Sequence, residues 1–177
     1  KEVAFDVEGS DTERDKLIVE KLVDPLVHIV RNAFDHAIEP AEQRRRAGKP
    51  SQGRISIRGI QRGNHVVIEV EDDGRGLDVG AIREKAVARG LIGADEALST
   101  KELLALVFEP GFSTRAEVSE TSGRGVGMDV VRSNVEEMGG SVDITTREGR
   151  GSTVTITLPI TLAIVQALKV GVGRECF

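Results

Sequence analysis

Polar side chains that can meet a metal ion or a phosphate group recur along one predicted helix, residues 26–39. They are His28, Asn32, Asp35 and His36, at positions i, i+4, i+7 and i+8. At about 3.6 residues per turn, these positions share one stripe of the helix, and apolar residues line the opposite stripe. An imidazole, an amide and a carboxylate in line can meet a metal–phosphate group. The alternative is an ordinary solvated helix face.

A glycine-rich turn directly follows a predicted strand and contains Asp72, Gly74 and Gly76. Glycines let the backbone approach a flat ligand closely, and a carboxylate beside them can accept a hydrogen bond from an amine. The same residues also make a good ordinary turn, and taken alone they favour that interpretation.

A second glycine cluster, residues 122–127, runs into another predicted helix. Its backbone N–H groups and the helix N-terminus can face phosphate oxygens. A dinucleotide fingerprint does not fit, because a polar loop precedes the glycines and no parallel βαβ unit surrounds them. A Walker A loop is also missing, since Gly48-Lys49 is followed by Pro50.

The first third of the chain must supply a strand and two helices to position these motifs. Apolar and polar residues alternate over residues 3–7, which predicts a strand. A helical segment is expected at 16–23. Asp24-Pro25 then favours a fresh helix start, with Asp as cap and Pro at the first helical position. Glu39-Pro40 should end that helix.

The remaining sequence predicts two hairpins and several short helices. The strands are expected at 54–60 and 65–71 and at 141–146 and 153–158, and the helices within 41–53 and at 79–88, 101–108 and 126–138. Gly, Ser and Thr in 109–127 predict a long mobile loop. The sum is an α+β fold in two layers, a mixed and mostly antiparallel sheet with helices on one face.

Composition excludes several classes of function. A net charge of −5 and a pI near 5.3 argue against a nucleic-acid-binding surface. The single cysteine, Cys176, cannot form an internal disulfide, which suits a reducing compartment. The most apolar stretch, residues 158–172, is shorter than the roughly 20 apolar residues that span a bilayer. The absence of an initiator methionine leads us to expect a piece of a longer protein.

These motifs, in this order and spacing, resemble the GHKL ATPase superfamily and, within it, the CheA family of chemotaxis histidine kinases. Residues 28–36 are similar to its N box, 72–76 to its G1 box, 108–114 to its F box and 123–127 to its G2 box. Residues 149–158 resemble its terminal strand block. The resemblance extends from about residue 5 to the end, and it implies a Bergerat-type two-layer α/β sandwich with a flexible ATP lid.

The resemblance implies ATP and Mg²⁺ as ligands. Asn32 would supply an oxygen to Mg²⁺, with His28 near the metal and phosphates; Asp35 and His36 would lie toward the γ-phosphate as further catalytic residues. Asp72 would accept a hydrogen bond from the adenine amine. The other residues that the resemblance assigns to ATP binding are Gly74, Gly76, Phe108, Phe112, Ser122, Gly123, Arg124, Gly125, Val126, Gly127 and Thr153.

One position separates a kinase from a hydrolase. Hydrolytic members of the superfamily resemble one another in having a Glu one turn before the metal-binding Asn, where this chain has His28. We therefore expect slow hydrolysis and phosphoryl transfer to a histidine outside this chain. The alternatives are a chaperone- or topoisomerase-like ATPase and a non-catalytic ATP-sensing module. Two small-for-small departures, Ala37 for Gly and Ser152 for Thr, leave binding intact.

The resemblance also predicts domains and partners. Residues 1–160 would form the ATP-binding kinase domain, and 161–177 would begin a CheW-like regulatory domain. The implied partners are a histidine phosphotransfer domain as phosphoacceptor and, through other domains, the response regulator CheY, the adaptor CheW and chemoreceptors. We expect a cytoplasmic protein with no nucleic-acid partner and no membrane insertion, monomeric as this fragment and homodimeric at full length.

Overall fold

A five-stranded sheet is the frame of the protein. The computed structural model describes residues 1–9, 16–112, 127–160, 171–172 and 175–176. The strands are β1 (Val3–Gly9), β2 (Gly53–Arg62), β3 (His65–Asp72), β4 (Ser141–Arg147) and β5 (Gly151–Pro159), in the order β1-β2-β3-β5-β4. β1 is parallel to β2, and the other neighbours are antiparallel. The predicted mixed, mostly antiparallel sheet is confirmed. Gly171–Val172 and Glu175–Cys176 pair separately.

Helices cover one face of this sheet. They are α1 (Lys16–Asn32), a π-helical turn (Ala33–Ala37), α2 (Ala41–Arg46), α3 (Val79–Ala88), α4 (Thr100–Ala105), a 3-10 turn (Leu106–Phe108) and α5 (Met128–Glu137). The core lies between the layers, where Val154, Ile156 and Leu158 of β5 share one apolar cluster with Val131 and Val135 of α5. The predicted α+β two-layer arrangement is therefore confirmed. Within the described ranges, no helix is long and apolar enough to cross a membrane.

The predicted helix break at Asp24-Pro25 is wrong, because α1 is continuous with Pro25 inside it. Proline removes one backbone hydrogen bond from a helix interior, at a cost of about 3 kcal/mol. Burial of Leu22 and Ile29, at roughly 1.5–3 kcal/mol for each large apolar side chain, offsets this cost. Tertiary packing thus overrides the local signal.

The final turn of the first helical segment is wider than an α-helix. The N–H of Ile38 donates to the carbonyl of Ala33 at 3.0 Å, an i to i+5 hydrogen bond that defines the π-helical turn Ala33–Ala37. Such turns add a residue to the ladder and rotate the side chains within them. The predicted stripe of four polar residues therefore does not continue unchanged past Asn32.

The basic residues of α2 differ from one another in environment. From sequence alone, this run of three arginines, residues 44–46, predicts a solvated loop or, alternatively, a docking patch. Arg44 is instead fully buried and forms ion pairs with Glu39 and Asp73. Arg45 and Arg46 are exposed and pair with Glu42 on their own helix. The prediction is therefore wrong for Arg44, since its burial depends on contacts distant in sequence.

Candidate functional site

His28 and Asn32 form a side-chain pair on α1. The amide nitrogen of Asn32 lies 2.9 Å from Nε2 of His28 and 3.4 Å from the sulfur of Met128, in the first turn of α5. These two acceptors take the amide hydrogens of Asn32, so its oxygen is left for another ligand. The predicted i, i+4 pairing is thus a direct contact, and Met128 is a partner that the sequence motifs did not identify.

His28 is neutral at physiological pH. Burial, together with the nearby charge of Arg31, holds the pKa of its imidazole below the ordinary value, although Asp129 acts in the opposite direction. Because Nε2 accepts from Asn32, the proton of the neutral ring is on Nδ1. The N-terminal end of α5 lies beside this pair through Met128, and helix N-termini favour anions.

The structure separates Asp35 from the other three residues of the predicted stripe. Asp35 lines an apolar groove with Phe34, Val27 and Phe5 between α1 and β1. The π-helical turn causes this, since an added residue rotates Asp35 off the stripe. His36 is exposed, and its charge acts on His28. His28, Asn32 and His36 therefore lie in one neighbourhood, and Asp35 does not.

Asp72 is a buried carboxylate at the end of β3, with 8% of its surface exposed. Its Oδ1 accepts from the N–H of Gly74 at 2.9 Å, and the backbone N–H of Ser152 also donates to the carboxylate. Burial raises the pKa of Asp72 from 3.8 to about 6, more than these two hydrogen bonds lower it. A desolvated carboxylate of this kind is typical of a binding site.

The turn at residues 72–76 is attached directly to the end of the π-helical turn. The N–H of Arg75 donates to the carbonyl of Ala37 at 3.0 Å. A Cβ on Gly74 would lie 2.3 Å from the same carbonyl oxygen, so only glycine permits this approach. Gly76 has a φ of +76°. The helix that carries Asn32 and the strand end that carries Asp72 are therefore joined through the backbone.

Ser152 and Thr146 lie beside Asp72 on one face of the sheet. In the sheet register Asp72 pairs with Ser152, and Ser152 pairs with Thr146. Their hydroxyl oxygens are 3.1 Å apart, and Thr146 Oγ1 also accepts from the N–H of Leu77 at 2.8 Å. Strand alternation turns Thr153 to the opposite face of the sheet. Thr153 nevertheless lines the same strand-end cavity as Asp72, so its part in ATP binding stays a prediction.

The remaining predicted binding residues lie in the helical layer, at the start of α5 beside Asn32, or outside the described ranges. Phe108 and Phe112 are buried in the helical layer, where Lys85 and Arg89 approach the ring of Phe112. Gly127 precedes α5 as its cap residue. Ser122, Gly123, Arg124, Gly125 and Val126 lie outside the described residues.

A cavity of about 660 Å³ opens at the strand ends beside Asp72. Lys49, Thr146, Ser152 and the predicted Thr153 also line it, but Asn32 is not among its described lining residues. No group of three or more His, Cys, Asp or Glu residues that could hold a metal ion occurs among the described residues. A metal ion beside the His28–Asn32 pair would therefore be held by the Asn32 oxygen together with oxygens from a ligand and from water. Such a set of ligands suits Mg²⁺. His28 fits less well as a direct ligand, because Asn32 occupies its Nε2.

Comparison with known families identifies the fold and the class. The family model described as "Histidine kinase-, DNA gyrase B-, and HSP90-like ATPase" matches residues 21–162. The chain therefore belongs to this ATPase family. The Mycobacterial sensor histidine kinase MprB has the same fold (TM-score 0.56, 18% identity, 89% of this chain and 81% of that chain). The catalytic domain of histidine kinase ThkA is similar (TM-score 0.55, 20% identity, covering 90% and 79%).

Curated relatives show which group of proteins within this ATPase family the chain resembles. The chain is 48% identical to the sensor histidine kinase CheAY of Helicobacter pylori, over all of this chain and 22% of that protein. It is 49% identical to the chemotaxis protein CheA of Treponema pallidum (100% and 22%) and 45% identical to that of Bacillus subtilis (100% and 27%). These matches confirm the predicted resemblance to the ATP-binding catalytic domain of the CheA family. The chain spans about a quarter of the length of these relatives.

Proposed function

We propose that this chain binds Mg·ATP between α1 and the 72–76 turn and acts as the catalytic domain of a CheA-type histidine kinase. One observation carries the proposal: the Arg75–Ala37 hydrogen bond joins the strand end holding the buried Asp72 to the helix holding the His28–Asn32 pair. A purine nucleotide matches this arrangement: its amine can donate to the Asp72 carboxylate at one end, and its phosphates can lie beside the His28–Asn32 pair at the other.

Each residue of the proposed site has a distinct part in binding. Asp72 accepts from the adenine amine, and Ser152 and Thr146 offer hydroxyl groups beside it. Asn32 provides the oxygen for Mg²⁺, which neutralises phosphate charge when bound. His28 fixes the direction of the Asn32 amide, and its Nδ1–H is free of that contact. The N-terminus of α5 adds positive partial charge for phosphate.

Phosphoryl transfer needs little covalent chemistry from the protein, because positioning and charge stabilisation provide most of the rate. A histidine on a separate phosphotransfer domain attacks with its own lone pair and needs no strong base. The position one turn before Asn32, where a hydrolase needs a carboxylate, is His28. If the chain were a hydrolase instead, Asp129, whose charge acts on His28, is the carboxylate to test.

The whole protein's role follows the same proposal. Residues 1–160 constitute the kinase domain, and 161–177 begin a CheW-like regulatory domain, most of which lies outside the described residues. The phosphoacceptor is a histidine phosphotransfer domain, and CheY, CheW and chemoreceptors act through other domains. The full-length protein is cytoplasmic and homodimeric, and this fragment is monomeric.

Transfer of radiolabelled phosphate from ATP to a histidine phosphotransfer domain tests this function. We expect label on the acceptor, slow ATP turnover without it, and loss of transfer in Asn32→Ala but not in the control Asn64→Ala, a change in an exposed turn. Rapid turnover without acceptor would favour a hydrolase. Nucleotide binding without transfer to any acceptor would favour an ATP-sensing module.

Nucleotide choice tests the role of Asp72 separately. Guanine presents an acceptor where adenine presents its amine, and an unpaired buried polar group costs about 1–3 kcal/mol. ATP should therefore bind at least about tenfold more tightly than GTP, and Asp72→Ala should remove this preference. Equal affinity of the wild-type chain for both nucleotides would overturn the assignment.

A further inference from the structure

A charge cluster of Glu39, Arg44, Lys49 and Asp73 lies beside the 72–76 turn. The guanidinium of Arg44 is fully buried and donates to Glu39 Oε2 at 3.2 Å, to Asp73 Oδ2 at 2.7 Å and to the carbonyl of Pro50 at 2.8 Å. The ammonium of Lys49 donates to Glu39 Oε1 at 2.8 Å. No role for this cluster follows from the nucleotide site as described so far.

The two cations of the cluster also hold the backbone of the turn. Lys49 Nζ donates to the carbonyl of Asp73 at 3.0 Å and to that of Gly74 at 2.7 Å. Arg44 donates to the Asp73 carbonyl at 3.2 Å. An ammonium has three hydrogens, and the three acceptors Glu39, Asp73 and Gly74 account for all of them. The direction of the Lys49 ammonium is therefore fully determined.

Peptide planarity transmits this constraint to the site. In a trans peptide, the carbonyl and the following N–H lie in one plane and point in opposite directions. The carbonyl of Asp73 shares its peptide with the N–H of Gly74, which donates to Asp72 Oδ1 at 2.9 Å. The carbonyl of Gly74 shares its peptide with the N–H of Arg75, which donates to Ala37. Lys49 thus orients two successive peptide planes.

We propose that Lys49 is a positioning residue for adenine recognition: by holding these two peptides, it directs the Asp72 carboxylate and fixes its distance from the helix that carries Asn32. This inference rests on the proposed function and extends it to a residue outside the proposed contacts with nucleotide and metal. Glu39 in turn holds Lys49. Burial alone would raise the pKa of Glu39, but the hydrogen bond from Lys49 and the nearby charges lower it, so Glu39 is an anion at neutral pH.

A merely structural role predicts something different from a positioning role. If Lys49 only stabilised the fold, its loss would lower the melting temperature without changing which base is preferred. If it positions Asp72, its loss also lowers the preference for adenine over guanine. The discriminating quantity is therefore the ratio of ATP to GTP affinity, measured on folded protein.

Lys49→Met is the variant to measure, by competition against a fluorescent ATP analogue. We expect the ATP-to-GTP affinity ratio to fall about tenfold, the size of one lost charged hydrogen bond, with GTP affinity nearly unchanged. Lys101→Met is the matched control, because Lys101 is 82% exposed and its ion pair with Asp143 is long, at 3.7 Å. The control should leave the ratio at the wild-type value.

A double-mutant cycle with Asp72→Asn shows whether Lys49 acts through Asp72. Lys49→Met should lower the ratio in the wild-type background and leave it unchanged in the Asp72→Asn background. An unchanged ratio in the folded single variant, or an equal fall in both backgrounds, would overturn the inference. Should Lys49→Met fail to fold, Lys49→Gln, which keeps a donor for one carbonyl, must show a smaller fall; no fall overturns the inference. A wild-type chain without adenine preference would instead defeat the proposed function.

Discussion

Replacement of Asp72 by asparagine should weaken adenine recognition. Its effect on the free energy of unfolding, compared with the wild type, should be more favourable at neutral pH than at acidic pH. Asp72 is 8% exposed, and its pKa is raised from 3.8 to about 6 by burial. A folded-state pKa above the unfolded value means that the protonated form stabilises the fold. That stability is present below pH 3.8 and is lost as the pH rises to about 6.

The magnitude follows from the size of the shift. A rise from 3.8 to about 6 corresponds to about 3 kcal/mol at about 1.36 kcal/mol per pKa unit. Asparagine removes the charge but keeps one acceptor oxygen, so one of the N–H donors from Gly74 and Ser152 loses its partner, at about 1–3 kcal/mol. This second cost does not depend on pH. The stability difference between variant and wild type should therefore move by about 3 kcal/mol in favour of the variant between pH 3.8 and pH 8.

Urea unfolding followed by far-ultraviolet circular dichroism measures this difference, since the chain has no Trp or Tyr for fluorescence. In a domain of this size, about 3 kcal/mol also corresponds to a shift of roughly 6–12 °C in melting temperature. Asp143→Asn is the control, because Asp143 is exposed and the same exchange at the surface should change stability by less than about 1 kcal/mol. A stability difference for Asp72→Asn that is the same at both pH values would refute the reasoning.

Three further predictions concern ligand binding. The affinity for ATP relative to GTP should fall about tenfold from pH 7 to pH 5, because Asp72, with a pKa of about 6, becomes protonated, and Asp72→Asn should abolish this dependence. Asn32→Ala should remove the Mg²⁺ dependence of ATP binding, as measured by titration with and without chelator. Gly74→Ala should weaken ATP binding at least about tenfold and lower the free energy of unfolding by about 1–3 kcal/mol, because its Cβ would lie 2.3 Å from the Ala37 oxygen. Gly93→Ala is the control, since a Cβ there would have no neighbouring atom closer than 3.8 Å.

Each of these predictions has a contradicting result. A flat pH profile in the wild-type chain would show that the ionisation of Asp72 does not govern base choice. Retained Mg²⁺ dependence in Asn32→Ala would assign the metal to other ligands. Full ATP affinity in Gly74→Ala would mean that the close approach between the 72–76 turn and Ala37 is not needed for binding.

Much of the fold was predictable because its signals are local. Alternating apolar residues locate the strands, and Ser99 and Glu102 form the capping box that starts α4. The pairing of His28 with Asn32 follows from helix periodicity alone. The sheet order, with β5 between β3 and β4, is set by contacts distant in sequence and was not predicted.

The differences between the expected and the observed positions of these residues have physical causes. Asp35 left the predicted stripe because a π-helical turn is not visible in residue spacing. Arg44 is buried because Asp73, 29 residues away, supplies its counter-charge. Ser152 as a neighbour of Asp72 is identifiable from sequence, since the apolar residues at 154, 156 and 158 place even-numbered positions of β5 on the core face.

A crystal structure with Mg²⁺ and a non-hydrolysable ATP analogue tests the central claim most directly. The account predicts one nucleotide, with its adenine amine within hydrogen-bond distance of Asp72 and its phosphates beside Asn32 and the start of α5. A nucleotide whose phosphates instead lie in the strand-end cavity against Arg147 and Arg150, with no ligand contact to Asn32, would contradict it.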